Sequence, residues 1–342
     1  MHTIRNTLVV VDPQQPEDLI INHAKMIART TRSHLHLLAC DKHRNVRAYL
    51  DDLQAGLARE DFNVSAESAW HGSLHKTIIM TQQAQGCGLV IKQHLPDNPL
   101  LKGLLTPEDW KLLRYCPCPV LLVKSTRPWA GGNILAAVDV GSSDVEHRVL
   151  HTGIVSHGHD IAKLAGATLH MMSAHPYPML SAPDPMFQLK ESIQAFYREQ
   201  CETFQDEFAI SDQRLHIEEG PAEVLIPYMA NKLEVALTVI GSVARTGMAG
   251  KLVGNTAEMI LDTLDSDILV LKPADIISHL EELAAPPPNM AENVVLHSWP
   301  YHYRDTHHQD QRQFGGEINA AGATDLARSL STRTRRSFPP GR

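Results

Sequence analysis

A strand–helix pattern runs twice through this chain, and the duplication limits the possible folds more than any other feature. The first copy opens with Leu8-Val9-Val10-Val11-Asp12 and closes with Val120-Leu121-Leu122-Val123-Lys124. The second opens with Leu135-Ala136-Ala137-Val138-Asp139 and closes with Ile268-Leu269-Val270-Leu271-Lys272. Short β-branched and leucine-rich runs without polar alternation are the mark of strands covered on both faces. Between them lie amphipathic stretches of about 10–20 residues, the spacing of right-handed βαβ units in a doubly wound sheet.

This pattern predicts an α/β protein of two tandem domains. The first spans 1–125 and the second 134–275, joined over 126–133 by a short linker containing Pro128, Gly131 and Gly132 that leaves the domains packed as a pair. The second copy is expected to carry strands near Ile134–Val138, Thr168–Ser173, Leu215–Glu218, Leu237–Ile240 and Ile268–Leu271, with helices near Val145–Leu164, Phe187–Phe208, Ala222–Lys232 and Asn255–Leu264. Residues 276–342 are assigned to a low-complexity, disordered tail: beyond Ala284 the pattern dissolves into Pro286-Pro287-Pro288 and a His-, Gly-, Ser- and Arg-rich end that cannot bury enough apolar surface to offset its ordering entropy.

A length of 342 residues suits two cores of ordinary size. No apolar run approaches the ~20 residues that span a bilayer, and the opening residues lack the stages of a secretory signal, so a cytoplasmic protein without a membrane partner is expected. A net charge of −8 offers no broad basic surface, which argues against direct nucleic-acid binding. The five scattered cysteines do not form a disulfide framework. Cys116-Pro117-Cys118 lacks partners at zinc spacing and reads mainly as turn chemistry before a strand, His34 and His36 read as ordinary half-buried strand residues, and the tail histidines form no fixed scaffold, so no metal site is assigned. No Gly-x-Ser-x-Gly elbow or other catalytic constellation is present, and no catalytic residue is assigned.

The residues suited to a ligand lie at carboxyl ends of strands, where open α/β sheets bind. Asp139 ends the first strand of copy two and can accept from a ribose hydroxyl or an adenine amino group, or can simply cap a turn. After the fourth strand, copy two has Gly241-Ser242-Val243-Ala244-Arg245-Thr246-Gly247 and then Gly254-Asn255-Thr256, a loop that leads into a helix whose N–H groups favour phosphate. Gly241, Ser242, Gly254, Asn255 and Thr256 are therefore the candidate phosphate contacts. Copy one has Lys92-Gln93-His94 and Thr106-Pro107-Glu108 at the corresponding places.

The spacing Gly241-x2-Ala244-x9-Gly254-Asn255 resembles the Gly-x2-Gly-x9-Gly-Ser/Thr loop of universal stress proteins. The resemblance covers nearly all of 1–275 and extends to Asn6-Thr7-Leu8-Val9-Val10-Val11-Asp12-Pro13, Trp70-His71, Thr106-Pro107-Glu108-Asp109-Trp110-Lys111-Leu112-Leu113-Arg114 and Leu271-Lys272-Pro273. It implies two adenine nucleotide alpha-hydrolase-like domains whose last strands, Val120–Val123 and Ile268–Leu271, pair as an intramolecular pseudo-dimer. It further implies a non-enzymatic stress protein linked to survival of growth arrest and DNA-damaging agents, with ATP or another adenine nucleotide as ligand in some members. Further association as a homodimer and a regulatory partner are left open.

This sequence departs from the loop pattern at Ala244 and Asn255, and an Ala methyl at a point of close approach obstructs phosphate. The alternative is an interaction or apolar, lipid-like ligand module, with Met171, Met172 and the Pro176–Pro185 loop as adaptable walls.

Overall fold

The computed structural model describes residues 4–15, 18–42, 45–94, 105–142, 145–242 and 255–284. The apolar runs form the strands β1 (Asn6–Val11), β2 (His34–Cys40), β3 (Val64–Ala69), β4 (Leu89–Gln93) and β5 (Val120–Val123) in the first half. In the second half they form β6 (Asn133–Ala137), β7 (Thr168–His175), β8 (Leu215–Glu219), β9 (Val235–Gly241) and β10 (Asp267–Leu271). The intervening helices are α1 (Asp18–Thr31), α2 (Arg47–Arg59), α3 (Leu74–Ala84), α4 (Pro107–Tyr115), α5 (Val145–Ala165), α6 (Lys190–Phe208), α7 (Ala222–Lys232) and α8 (Asn255–Thr263), followed by α9 (Ala274–Ala284).

All ten strands join one sheet in the order β3-β2-β1-β4-β5-β10-β9-β6-β7-β8. Within each half the neighbours are parallel, and at the centre β10 runs antiparallel to β5, with Leu269 opposite Leu121. The halves thus repeat one order about a pseudo-two-fold axis, and the apolar edges of β5 and β10 cover each other. One layer of helices, α1, α2, α5 and α6, buries residues such as Ile27, Leu50, Ile154 and Ile193 on one face. On the other, α3, α4, α7 and α8 bury Ile78, Leu112, Met229 and Leu261. Complete removal of each such side chain from water contributes roughly 1.5–3 kcal/mol.

Polar groups fix the join. Asp267, fully buried at the start of β10, accepts on one oxygen from the backbone N–H groups of Lys124 and Ser125, each at 2.8 Å, and on the other from Trp129 Nε1 at 2.8 Å. His23 of α1 lies 3.3 Å from that second oxygen, edge-on to the Trp129 ring. One carboxylate of the second half therefore holds the connecting segment and a helix of the first. Two lysines cross the axis in opposite directions. Lys124 Nζ donates to the carbonyls of Leu261 and Leu264 at the end of α8, and Lys272 Nζ donates to the Cys116 carbonyl just past α4. Each satisfies carbonyls that a helix terminus leaves without partners.

Two elements depart from the sequence expectation. The helix expected from Phe187 is a 3-10 turn (Pro185–Gln188) capped by Asp184, and Leu189, in extended backbone, separates it from α6. The first residues of the tail expected from 276 are helical, because α9 continues to Ala284 and buries Ile276 and Leu280. The expectation of disorder beyond 284 lies outside the described residues.

Replacing Asp267 with Ala strands three buried donors, each costing about 1–3 kcal/mol. Asp267→Ala is expected to lower unfolding stability by at least ~3 kcal/mol in urea titrations, whereas a loss below 1 kcal/mol would contradict the role assigned to this carboxylate.

Candidate functional site

The strand order reverses between β1 and β4 in the first half and between β6 and β9 in the second, which places a crevice at the carboxyl ends of each pair. The two crests can be matched residue by residue. His94 N–H donates to the Val123 carbonyl and Ser242 N–H to the Leu271 carbonyl, both at 2.8 Å, so His94 and Ser242 correspond. It follows that Lys92 corresponds to Ile240. The helices α4 and α8 begin at Pro107 and Asn255, so Asp109 corresponds to Ala257.

In the first half the crevice is filled from within. Asp109 is fully buried at the first turn of α4; one carboxylate oxygen accepts from Lys92 Nζ at 2.7 Å and the other from His94 Nδ1 at 2.8 Å. The second oxygen also accepts from the Thr106 hydroxyl at 2.8 Å and the Thr106 N–H at 3.2 Å, while the Thr106 hydroxyl accepts from the Asp109 N–H, completing a capping box. Burial works against this charge, but the His94 hydrogen bond and the Lys92 ammonium outweigh it and hold the Asp109 carboxyl well below the usual range. A carboxylate at a helix N-terminus, facing a lysine and a histidine, occupies the electrostatic position an exogenous anion would take. In the sequence, Lys92 and His94 stood out only as departures from the glycine pattern and Asp109 only as part of the resembling stretch 106–114, none of them with a role assigned. What singles them out is a lysine two residues before a histidine, followed by an N-cap threonine with aspartate three positions on.

The second half lacks all three groups at the matching positions. Ser242 stands at the end of β9 with its hydroxyl fully buried and unpartnered among the described residues. Gly241 ends β9 beside Leu271, and a Cβ there would lie 2.7 Å from Leu150 Cδ2 and 3.1 Å from Ile154 Cδ1. The geometry thus supplies a packing reason for this glycine, the close approach of α5. Gly254 lies outside the described residues. Asn255 and Thr256 open α8, but their side chains lie outside what is described.

Asp139 is exposed beyond the end of β6 and forms the turn that the sequence allowed as one of its two roles. Its carboxylate accepts from the Gly141 N–H at 3.2 Å and its carbonyl from the Ser142 N–H at 3.3 Å. Around this turn the fold gathers groups that sequence reasoning did not assign. The Tyr197 hydroxyl of α6 lies where a Cβ on Gly141 would be, so residue 141 must be glycine for this packing. Burial and the Asp139 charge push the Tyr197 phenol up to about 12. His175, at the end of β7, is buried against the Tyr197 ring, with Nε2 unpartnered among the described residues. The Ser142 hydroxyl shares a 2.9 Å hydrogen bond with His147 Nδ1. His151, one turn further along α5, receives the Asp139 N–H at 3.4 Å; burial pushes its pKa down to about 4, against the opposing pull of Asp139. The i, i+4 pair His147 and His151, following an aspartate that ends a strand, was the available sequence signal.

Met171 and Met172, expected as walls of an apolar pocket in the alternative reading, instead point into opposite layers of the core. That follows from the period of two in a strand buried on both faces. In the Pro176–Pro185 loop, Tyr177, Met179 and Leu180 are exposed. Among the described residues no three potential ligands are grouped to hold a metal, and no helix is long and apolar enough to cross a membrane.

The profile of the universal stress protein family matches residues 132–272. A crystal structure of a functionally unknown protein from Pseudomonas aeruginosa PAO1 is 61% identical in sequence, with a TM-score of 0.76 over 82% of this chain and 97% of that one. Universal stress protein E of Salmonella typhi is 28% identical over 311 residues, which cover 82% of this chain and 98% of the relative. The universal stress protein E homolog of Haemophilus influenzae is 29% identical over 264 residues, 75% of this chain and 84% of the relative. The similarity to these relatives extends over both halves.

Because Gly241 accommodates α5, Gly241→Val is expected to destabilise the protein by about 1–3 kcal/mol through overpacking, whatever it does to ligand binding. Unchanged thermal and urea unfolding in this variant would contradict the packing assignment.

Proposed function

The chain belongs to the universal stress protein family in its tandem form, and from that premise we propose that it is a stress-response protein whose second half retains an adenine-nucleotide site while its first half does not. The observation that carries this reading is the contrast between the two crests. In the first, Asp109 supplies an internal anion for Lys92, His94 and the N-terminus of α4. In the second, Ile240, Ser242 and Ala257 stand at the matching positions, so the residue matching Asp109 carries no carboxylate, and the N-terminus of α8 follows the glycine-rich stretch. An exogenous phosphate is the natural complement of such a helix end. In this assignment Gly254, Asn255, Thr256 and Ser242 hold phosphate, the backbone at Gly241 sets the depth of the crevice, and Asp139 meets ribose or base.

We read the protein as a binding and regulatory module, with no catalytic residue assigned. Its proposed setting is the cytoplasm, its proposed physiological role the survival of growth arrest and DNA damage, and its further partners a second copy of the chain or a regulatory protein. The two domains proposed within it, 1–125 and 134–275, act as the intramolecular equivalent of a dimer. The apolar-ligand alternative now rests on the exposed Tyr177, Met179 and Leu180 alone.

Calorimetric titration of the full chain with Mg²⁺ and ATP tests the assignment. Micromolar binding at one site per chain, lost in Gly254→Val with folding intact, is expected. No heat at millimolar ATP, or two equal sites per chain, would contradict it.

A further inference from the structure

Where β5 begins, two thiols sit side by side in the core. Cys116 follows the last residue of α4, Cys118 lies two positions on, and their sulfurs are 3.6 Å apart. Both are buried, as is the Lys272 ammonium, which reaches from the second half to the Cys116 carbonyl at 2.7 Å. A buried ammonium needs a compensating negative charge. Burial pushes the Lys272 pKa down, and the opposing pull toward the charged form comes from the thiol pair, in which Cys116 is the sulfur able to carry the negative charge. We propose that Cys116 and Cys118 are a redox-modification site, a dithiol that a hydroperoxide converts reversibly into an intrachain disulfide.

The chemistry follows from the arrangement. Cys116 is the attacking sulfur. Burial opposes its ionisation, but the hydrogen bond from Cys118 and the charge of Lys272 hold its thiol below the ordinary value, whereas burial and its neighbour's charge keep Cys118 protonated. The thiols of Cys40, Cys87 and Cys201 are each pushed up to about 12, chiefly by burial, and are poor nucleophiles. The Cys116 thiolate attacks one oxygen of the peroxide, the O–O bond breaks, and hydroxide leaves, giving a sulfenic acid. The Cys118 sulfur then displaces the sulfenic hydroxyl, forming the S–S bond and water as the Cys118 proton is lost. In sum, two thiols lose two electrons and two protons, and one hydroperoxide is reduced to water, or to water and an alcohol. Because both thiols are buried, the reaction requires local opening at the end of α4. Oxidation removes the negative charge facing Lys272, so the site lies where peroxide can alter the contact between the two halves.

The test uses the full chain, reduced, exposed to hydrogen peroxide, alkylated and mapped by mass spectrometry. The expected product is a peptide lighter by two hydrogens linking Cys116 and Cys118, with Cys40, Cys87 and Cys201 alkylated as free thiols and the change reversed by dithiothreitol. In Cys118→Ser, a 1,3-dione should trap a sulfenic acid at Cys116, and in Cys116→Ser none should form at Cys118. Lys272→Met should slow oxidation of the pair at least ~10-fold. Oxidation of Cys40 ahead of the pair, trapping at Cys118 instead of Cys116, or an unchanged rate in folded Lys272→Met would overturn the proposal. Should that last variant fail to fold, the wild-type map and the two serine variants still decide.

Discussion

The antiparallel contact of β5 with β10 turns two repeats into one structure. Leu121 opposite Leu269 lies near the centre of the sheet, and everything on either side repeats outward from it. Backbone pairing alone would leave this seam free to slip, because its residues are interchangeable aliphatics. The buried Asp267 carboxylate fixes the register by binding two successive N–H groups beyond β5 and the Trp129 indole. The Lys124 and Lys272 ammoniums add braces that cross in opposite directions to helix ends of the other half. These are polar contacts in the interior, so their value depends on complete satisfaction of each group.

Once the halves are locked in one sheet, their crests are free to diverge. The same backbone, a strand end followed by a helix N-terminus, is used in two ways. In the first half the chain answers the helix end with its own Asp109, whose carboxylate Lys92 and His94 hold by hydrogen bonds. Under the proposed function such a crest takes no exogenous anion, because the position already holds a charge of the same sign. In the second half Ser242 and Ala257 stand where the first half has His94 and Asp109, while Tyr197, His175, His147 and His151 assemble around the Asp139 turn. Under the proposed function, the divergence leaves support to one repeat and recognition to the other.

Much of this was legible in the chain. Continuous apolar runs ending in Asp12 and Asp139 gave the parallel strands, and the antiparallel β5–β10 contact followed from family resemblance. What escaped were contacts between residues distant in sequence. Asp267 begins a strand and Trp129 lies in a short connecting segment, and no local periodicity links them across 138 residues. The internal anion of the first half is likewise a tertiary fact, since Lys92 and Asp109 belong to different elements and meet only because the sheet places β4 beside α4. Gly241 illustrates the opposite error of attribution: a glycine in a phosphate-type motif also answers to the approach of Leu150. Helix α9 was missed because two buried residues, Ile276 and Leu280, are a weak signal beside the proline-rich composition that follows.

The division of labour between the crests is open to direct measurement by hydrogen exchange of the full chain, read by mass spectrometry with and without Mg²⁺ and ATP. Protection is predicted in peptides that cover residues 139–142 and 241–256, with peptides covering 92–109 unchanged. Protection at 92–109, or equal protection of both crests, would contradict the account.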